Sequence, residues 1–195
     1  MEPGAAHDVF VHVRIVMGTV IGLGLTRLLM GAAGLIQHPQ RDRLSLTHLL
    51  WVVSIALELI LFWWWEYDLV DLPSWNFGTF AFLIFYAITL FALAALLFPD
   101  KLDDYDGYED FFIKRRHWFF SIFGLTFLLD LADTMIKGAP YFDAMDVTYL
   151  VQIPFGLVLS GIAIWTPNRR FHLGFVIFHL LYQVWSVAFY FNVRM

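Results

Sequence analysis

Long apolar blocks alternate with short polar ones along this chain. Six blocks of about 20 residues or more stand out: Val11–Ile36, Leu46–Trp65, Phe77–Phe98, His117–Ile136, Val147–Trp165 and Phe171–Val193. About 20 apolar residues at 1.5 Å rise per residue cross a hydrocarbon core of ~30 Å. The pattern predicts an all-α, polytopic membrane bundle of six transmembrane helices forming one domain over 1–195. The blocks are too long and too continuous for β-barrel strands, which alternate over about ten residues. The first ten residues lack a basic n-region, and the apolar run after Arg14 outlasts a signal-peptide core, so the first block is expected to stay as a membrane helix.

Composition agrees with this class. Of 195 residues, 60% are hydrophobic and 15% charged, with a mean hydropathy of +0.68, against about 25% charged in a soluble domain. The absence of cysteine excludes disulfides, thiolate chemistry and cysteine-bound metal. The net charge of −5 is less informative than where the charges fall. Arg41 and Arg43 lie between the first two helices, Lys101, Lys114, Arg115 and Arg116 between the third and fourth, and Arg169 and Arg170 between the last two. These three connections share one face and hold eight of the twelve basic residues. The positive-inside rule puts that face in the cytoplasm and both termini on the non-cytoplasmic side. The opposite connection, Glu66–Asn76, is acidic and is expected to turn at Pro73. Trp63, Trp64, Trp65 and Trp75 flank it, as Trp118 and Trp165 mark the other face. Tryptophan favours the headgroup layer, so these read as aromatic belts.

Charges inside the apolar blocks point to an interior. Arg27, Glu58 and Asp130 each cost about 2.5–3.5 kcal/mol in hydrocarbon on insertion scales. Helical spacing aligns Ser54 with Glu58 on the second helix. It aligns Thr126, Asp130, Asp133 and Thr134 on the fourth, and Thr148, Gln152, Gly156 and Ser160 on the fifth. On the sixth it aligns His172, His179, Gln183, Ser186 and Tyr190, and on the first His12, Thr19 and Thr26 beside Arg27. The third helix has only Thr79, Tyr86 and Thr89 and is expected to face lipid. Counted from the cytoplasmic helix ends, Arg27 lies ~15 Å deep, Glu58 ~18 Å and Asp130 ~20 Å. The expectation is a midplane cluster of Arg27, Glu58, Asp130, Gln152, His179 and Gln183, with Arg27 and Glu58 as an ion pair. Such a cluster serves a proton, ion or ligand, or else it only bonds helices together at roughly 0.6 kcal/mol per hydrogen bond.

Small residues on the first helix, Gly18 and Gly22 as GxxxG and then Gly31 and Gly34, are expected to let another helix approach closely, within the chain or in a second copy. Pro154 removes a backbone donor from the fifth helix and marks it as a candidate break. The long connection Pro99–Arg116 runs from acidic to basic. It fails as an EF-hand, because with Gly107 sixth the first and twelfth ligands would be Leu102 and Ile113. Asp110–Trp118 is expected to form a short interfacial helix, with Arg115 and Arg116 on lipid phosphates and Phe111, Phe112 and Trp118 in the headgroup layer. His38, His48, His117 and His172 fall near one boundary without metal-binding spacing, so no metal or cofactor is expected.

The runs LLFPD (Leu96–Asp100), YED (Tyr108–Asp110) and RRHWFF (Arg115–Phe120) resemble a family of small uncharacterised bacterial polytopic inner-membrane proteins. GLGLTRLLMGAAGLI in the first helix and HLLW…FWWWEY in the second are similar too. The resemblance implies a bacterial inner-membrane location and no particular activity. The expected partners are the lipid bilayer, with a second copy of the chain or a protein docked on the long loop as further partners, and no nucleic acid. The preferred function is a channel or transporter for a proton, small cation or small polar solute, using Glu58 and Asp130 as exchangeable carboxylates. The alternatives are a non-transporting scaffold or regulatory subunit, and an intramembrane lipid enzyme using Asp130, His179 or His117 as acid–base groups.

Overall fold

The computed structural model describes residues 3–38, 43–72, 74–145 and 147–193, with side chains from 6 to 189. Arg41, Pro73 and the side chain of Tyr190, used above for orientation, turn and stripe, lie outside the described residues. Among the described residues seven α-helices follow one another: α1 (Pro3–Gln37), α2 (Leu46–Trp65), α3 (Phe77–Leu97), α4 (Tyr108–Lys137), α5 (Ala139–Asp143), α6 (Val147–Trp165) and α7 (Arg169–Val193). A 3-10 segment, Glu66–Asp71, extends α2. All but the five-residue α5 are long and apolar enough to cross a membrane, as in a multi-pass membrane protein.

Local chemistry sets the helix starts. Ser45 Oγ accepts from His48 N (3.3 Å) and opens α2, and Asn76 Oδ1 accepts from Thr79 N (3.0 Å) and opens α3, as short polar N-cap side chains do. Gly107 precedes α4 with φ of 91°, a backbone state that favours glycine. A Cβ there would also lie 2.7 Å from that of Arg43. Tyr108 N donates to Arg43 O (3.1 Å) and Arg43 reaches Asp106 Oδ2 (2.9 Å), so the loop after α3 is docked on the α1–α2 connection.

α4 therefore starts at Tyr108, not near His117, and the separate interfacial helix does not exist. Phe111 and Phe112 are buried instead of lying in the headgroup layer. Arg116 bonds the carbonyls of Ile113 (2.7 Å) and Trp165 (3.4 Å), closing the end of α6, while Arg115 Nε donates to the Tyr105 hydroxyl (2.7 Å). Trp118 is 59% exposed.

α2 lies at the centre, against α1, α3, α4 and α7, while α1 pairs closely with α3, and α4 with α6. The expectation for the third helix is overturned. Leu83, Ala87, Leu90, Leu93, Ala94 and Leu97 of α3 are wholly buried. The first helix is overturned in the opposite sense: Thr19 and Thr26 are exposed, their hydroxyls bonded back to Ile15 O (2.9 Å) and Gly22 O (2.7 Å). A hydroxyl satisfied by its own helix can face lipid, and an all-apolar helix can be buried, because hydrocarbon is no less apolar than a protein core.

The α1 glycines divide in the same way. A Cβ on Gly18 would lie 3.2 Å from Trp63 Nε1, and one on Gly31 would lie 2.3 Å from the Phe98 ring, whereas Gly22 and Gly34 face open space. Phe98 has little room to retreat, since it packs edge-on against His48 (5.1 Å) and Tyr108 (5.9 Å). Gly31→Ala is therefore expected to destabilise the detergent-solubilised protein by about 1–3 kcal/mol through overpacking. Gly34→Ala should be neutral or stabilising by up to about 1 kcal/mol through helix propensity. Equilibrium unfolding of the two variants checks the contrast.

Candidate functional site

The site grows from two four-residue steps on facing helices. Ser54 and Glu58 stand one turn apart on α2, as do His179 and Gln183 on α7, so the pairs meet as two rungs. Gln183 Nε2 donates to Glu58 Oε2 (2.7 Å) and to the Ser54 carbonyl (3.1 Å). With its amide nitrogen so placed, Gln183 turns Oε1 to Ser54, whose hydroxyl donates to it (3.0 Å). The one hydroxyl proton is then spent, so the 2.8 Å contact between Ser54 Oγ and His179 Nδ1 requires a proton on Nδ1. A directed chain results, running from His179 through Ser54 and Gln183 to Glu58.

Glu58, Gln183 and His179 of this chain line a cavity of about 220 Å³ among α2, α4, α6 and α7. Asp130 and Gln152 line it too. The Tyr149 hydroxyl meets Thr134 Oγ1 (2.7 Å) and donates to the Asp130 carbonyl (3.3 Å), while Tyr182 Oη donates to Gln152 Oε1. The cavity extends to Trp64, Trp65 and Tyr141, at the face carrying the acidic α2–α3 connection. Toward the basic face, beyond His179, lies an aromatic layer packed mostly edge to face. Trp51 is fully buried, with Phe119, Phe120, Phe123, Phe175 and His179 at centroid distances of 5.1–5.8 Å. His172 lies beyond, on Phe120 (5.3 Å), with Nε2 against the Thr166 carbonyl (2.8 Å).

Five of the six expected cluster residues thus meet at one cavity: Glu58, Asp130, Gln152, His179 and Gln183. Arg27 does not. Its guanidinium donates to Asp100 Oδ1 (2.7 Å) and to the Phe98 carbonyl (2.6 Å) at the end of α3, so the expected pair with Glu58 is absent. The error lies in measuring depth from a helix end. α1 has 35 residues and, at 1.5 Å each, runs well past a ~30 Å core. Arg27 instead places positive charge at the C-terminal end of α3, where the helix dipole favours it.

The cation at the cavity is Lys137, which sequence reasoning did not single out. Its ammonium bonds Asp133 Oδ2 (2.6 Å) and Glu66 Oε1 (3.1 Å), with all three side chains 2–4% exposed. Two signals pointed there: the four-residue step from Asp133 to Lys137, and Glu66 continuing the series Ser54, Glu58, Phe62. Among the described residues no three potential ligands group to hold a metal ion.

No protein-family model, curated protein or solved structure matches the chain. The fold and site therefore define a multi-pass helical membrane protein with an acidic internal cavity.

Removing Lys137 would strand two buried carboxylates. Lys137→Met is expected to destabilise the protein by about 3–5 kcal/mol, the scale for breaking a buried ion pair from one side. Arg27→Met, which breaks a pair with an exposed aspartate, should cost about 1 kcal/mol or less in ion pairing. Thermal and chemical unfolding in the same detergent compares them.

Proposed function

We propose that this protein moves a proton, a small cation or a small polar solute across the membrane through the cavity beside Glu58 and Asp130. The observation that supports the reading is the directed hydrogen-bond chain from His179 to Glu58 along the cavity wall. Intramembrane carboxylates are costly and mark ion and proton paths. Such a chain offers a proton a route in which the Ser54 hydroxyl and His179 imidazole relay directly, while the Gln183 link requires its side-chain amide to flip so that its oxygen faces Glu58. Glu58 and Asp130 act as the exchanging carboxylates. His179 and Gln183 extend the path toward the aromatic closure, which must part or rotate during passage. Arg27, paired outside the cavity, has no part in setting their charge.

The basic face lies in the cytoplasm in this proposal, with both termini outside, so the cavity opens outward. The basic loops and the resemblance to bacterial inner-membrane proteins support that orientation and location.

A second reading has its own observation. The rings around Trp51 close the cavity at one end, which suits a scaffold or regulatory subunit that passes nothing. The loop of 99–107, fixed by exposed ion pairs, would then face a protein partner.

Proton and cation flux in proteoliposomes separates the two readings. Wild type is expected to conduct. Glu58→Gln and Asp130→Asn, shown to fold by monodisperse elution and helical circular dichroism, should each lower the rate by roughly tenfold or more, the scale of one charge-assisted hydrogen bond. Flux indifferent to both substitutions would overturn the mechanism. No wild-type flux, with variants that lose only thermal stability, would favour the scaffold.

A further inference from the structure

α6 and α7 follow each other in sequence yet touch little, because α6 packs on α4 and α7 on α2. Between them runs a second recess of about 280 Å³ with an almost wholly apolar wall. Val151, Phe155 and Phe178 are 45–59% exposed along it, so it opens sideways, where lipid would lie. It shares Gln152, His179 and Tyr182 with the acidic cavity. The Tyr182–Gln152 hydrogen bond crosses from α7 to α6 where the two recesses meet.

The cavity behind that bond is short of positive charge. Glu58, Glu66, Asp130 and Asp133 line it against one ammonium, Lys137. Glu66 Oε2, Asp133 Oδ1 and Ser186 Oγ are buried without a hydrogen-bond partner among the described residues. A proton shared between Glu66 and Asp133 would satisfy the two carboxyls but leave the Ser186 hydroxyl unmet. Buried polar atoms are rarely left so. Tyr86, Tyr149 and Tyr182 add ring surface to the wall, which attracts a cation.

We propose that cavity and groove form one site for an amphiphile whose cationic head carries N–H donors. The head is held by Glu58, Asp130 and Ser186, and the apolar tail lies between α6 and α7, with entry from the bilayer as the Tyr182–Gln152 bond opens. The proposal names the class of solute for the passage proposed above and rests on that reading of the cavity. Charge complementarity fixes the head, and the sideways apolar opening fixes the tail. A carboxylate amphiphile would meet four acidic side chains, and a quaternary ammonium would bring no donor.

The full chain in lipid nanodiscs, titrated calorimetrically against empty discs, tests this with octylammonium, propylammonium, tetramethylammonium and octanoate. Octylammonium should saturate at aqueous concentrations roughly tenfold or more below propylammonium, because its longer tail buries more apolar surface. Octanoate should not saturate, and tetramethylammonium, left with ring contacts alone, should bind roughly tenfold or more weakly than propylammonium. Glu58→Gln should weaken both primary amines by roughly tenfold, the scale of one charge-assisted hydrogen bond. Val151→Trp, which fills the groove, should weaken octylammonium alone. Should Glu58→Gln fail to fold, Ser186→Leu fills the cavity without touching an ion pair and should abolish binding of both amines. Equal binding of octanoate, amine binding indifferent to these variants, or no saturation above empty discs would overturn the site. Amine binding without flux of any solute would leave the site standing and remove transport. Proton flux through a protein that binds neither amine would do the reverse.

Discussion

The hydrogen-bonded rungs between α2 and α7 are the interaction on which the interior depends. Ser54 and Glu58 on one helix meet His179 and Gln183 on the other through four bonds of 2.7–3.1 Å. In hydrocarbon each of these groups would be costly alone. Together they satisfy one another and fix the rotation of both helices. That rotation turns Trp51, one turn from Ser54 on α2, into the aromatic closure and leaves Glu58 at the cavity wall. It also commits α7 to α2, so α7 is not free to pack along α6, and the apolar groove between those two helices follows.

Charge is sorted by depth around this frame. Exposed pairs hold the basic face: Arg27 with Asp100, Arg43 with Asp106, Lys114 with Asp110 and Arg169 with Glu109. Such pairs contribute about 0–1 kcal/mol each and act more to position the loop than to stabilise the fold. The opposite face uses a desolvated set, Glu66, Lys137 and Asp133, to join the end of α2 to the end of α4 beside the cavity. Breaking that set leaves charge without water, so it holds the cavity mouth more firmly than the loop is held. The cavity thus has a desolvated ion set at its rim, carboxylates and amides among apolar side chains along its wall, and an aromatic layer beyond His179.

Much of this was legible in the sequence because helical periodicity carries it. Glu58, Asp130, Gln152, His179 and Gln183 were placed on inward stripes by residues three or four apart, and they share one cavity. Arg27 was misplaced because helix length does not report membrane depth when a helix overruns its neighbours. α3 was misjudged because polarity does not distinguish lipid from core, and Thr19 and Thr26 because a threonine can satisfy itself on its own helix. Lys137 and Glu66 were missed because both sit at helix ends, where position alone suggests solvent. Their burial comes from α5 and the 3-10 segment, which no apolar block announced. The division of the α1 glycines between Phe98 and open space depends on crossing geometry that a GxxxG pattern does not contain.

The central claim is a polar cavity open at one face and sealed at the other. The absence of cysteine makes single-cysteine labelling direct. Ser186→Cys places a thiol at the cavity wall, and Val176→Cys places one ten residues away on α7, fully buried. In oriented vesicles treated with a membrane-impermeant thiol reagent, Ser186→Cys should react only from the face of the acidic α2–α3 connection, and Val176→Cys from neither side. An unreactive Ser186→Cys, or a Val176→Cys modified from either face, would contradict the account.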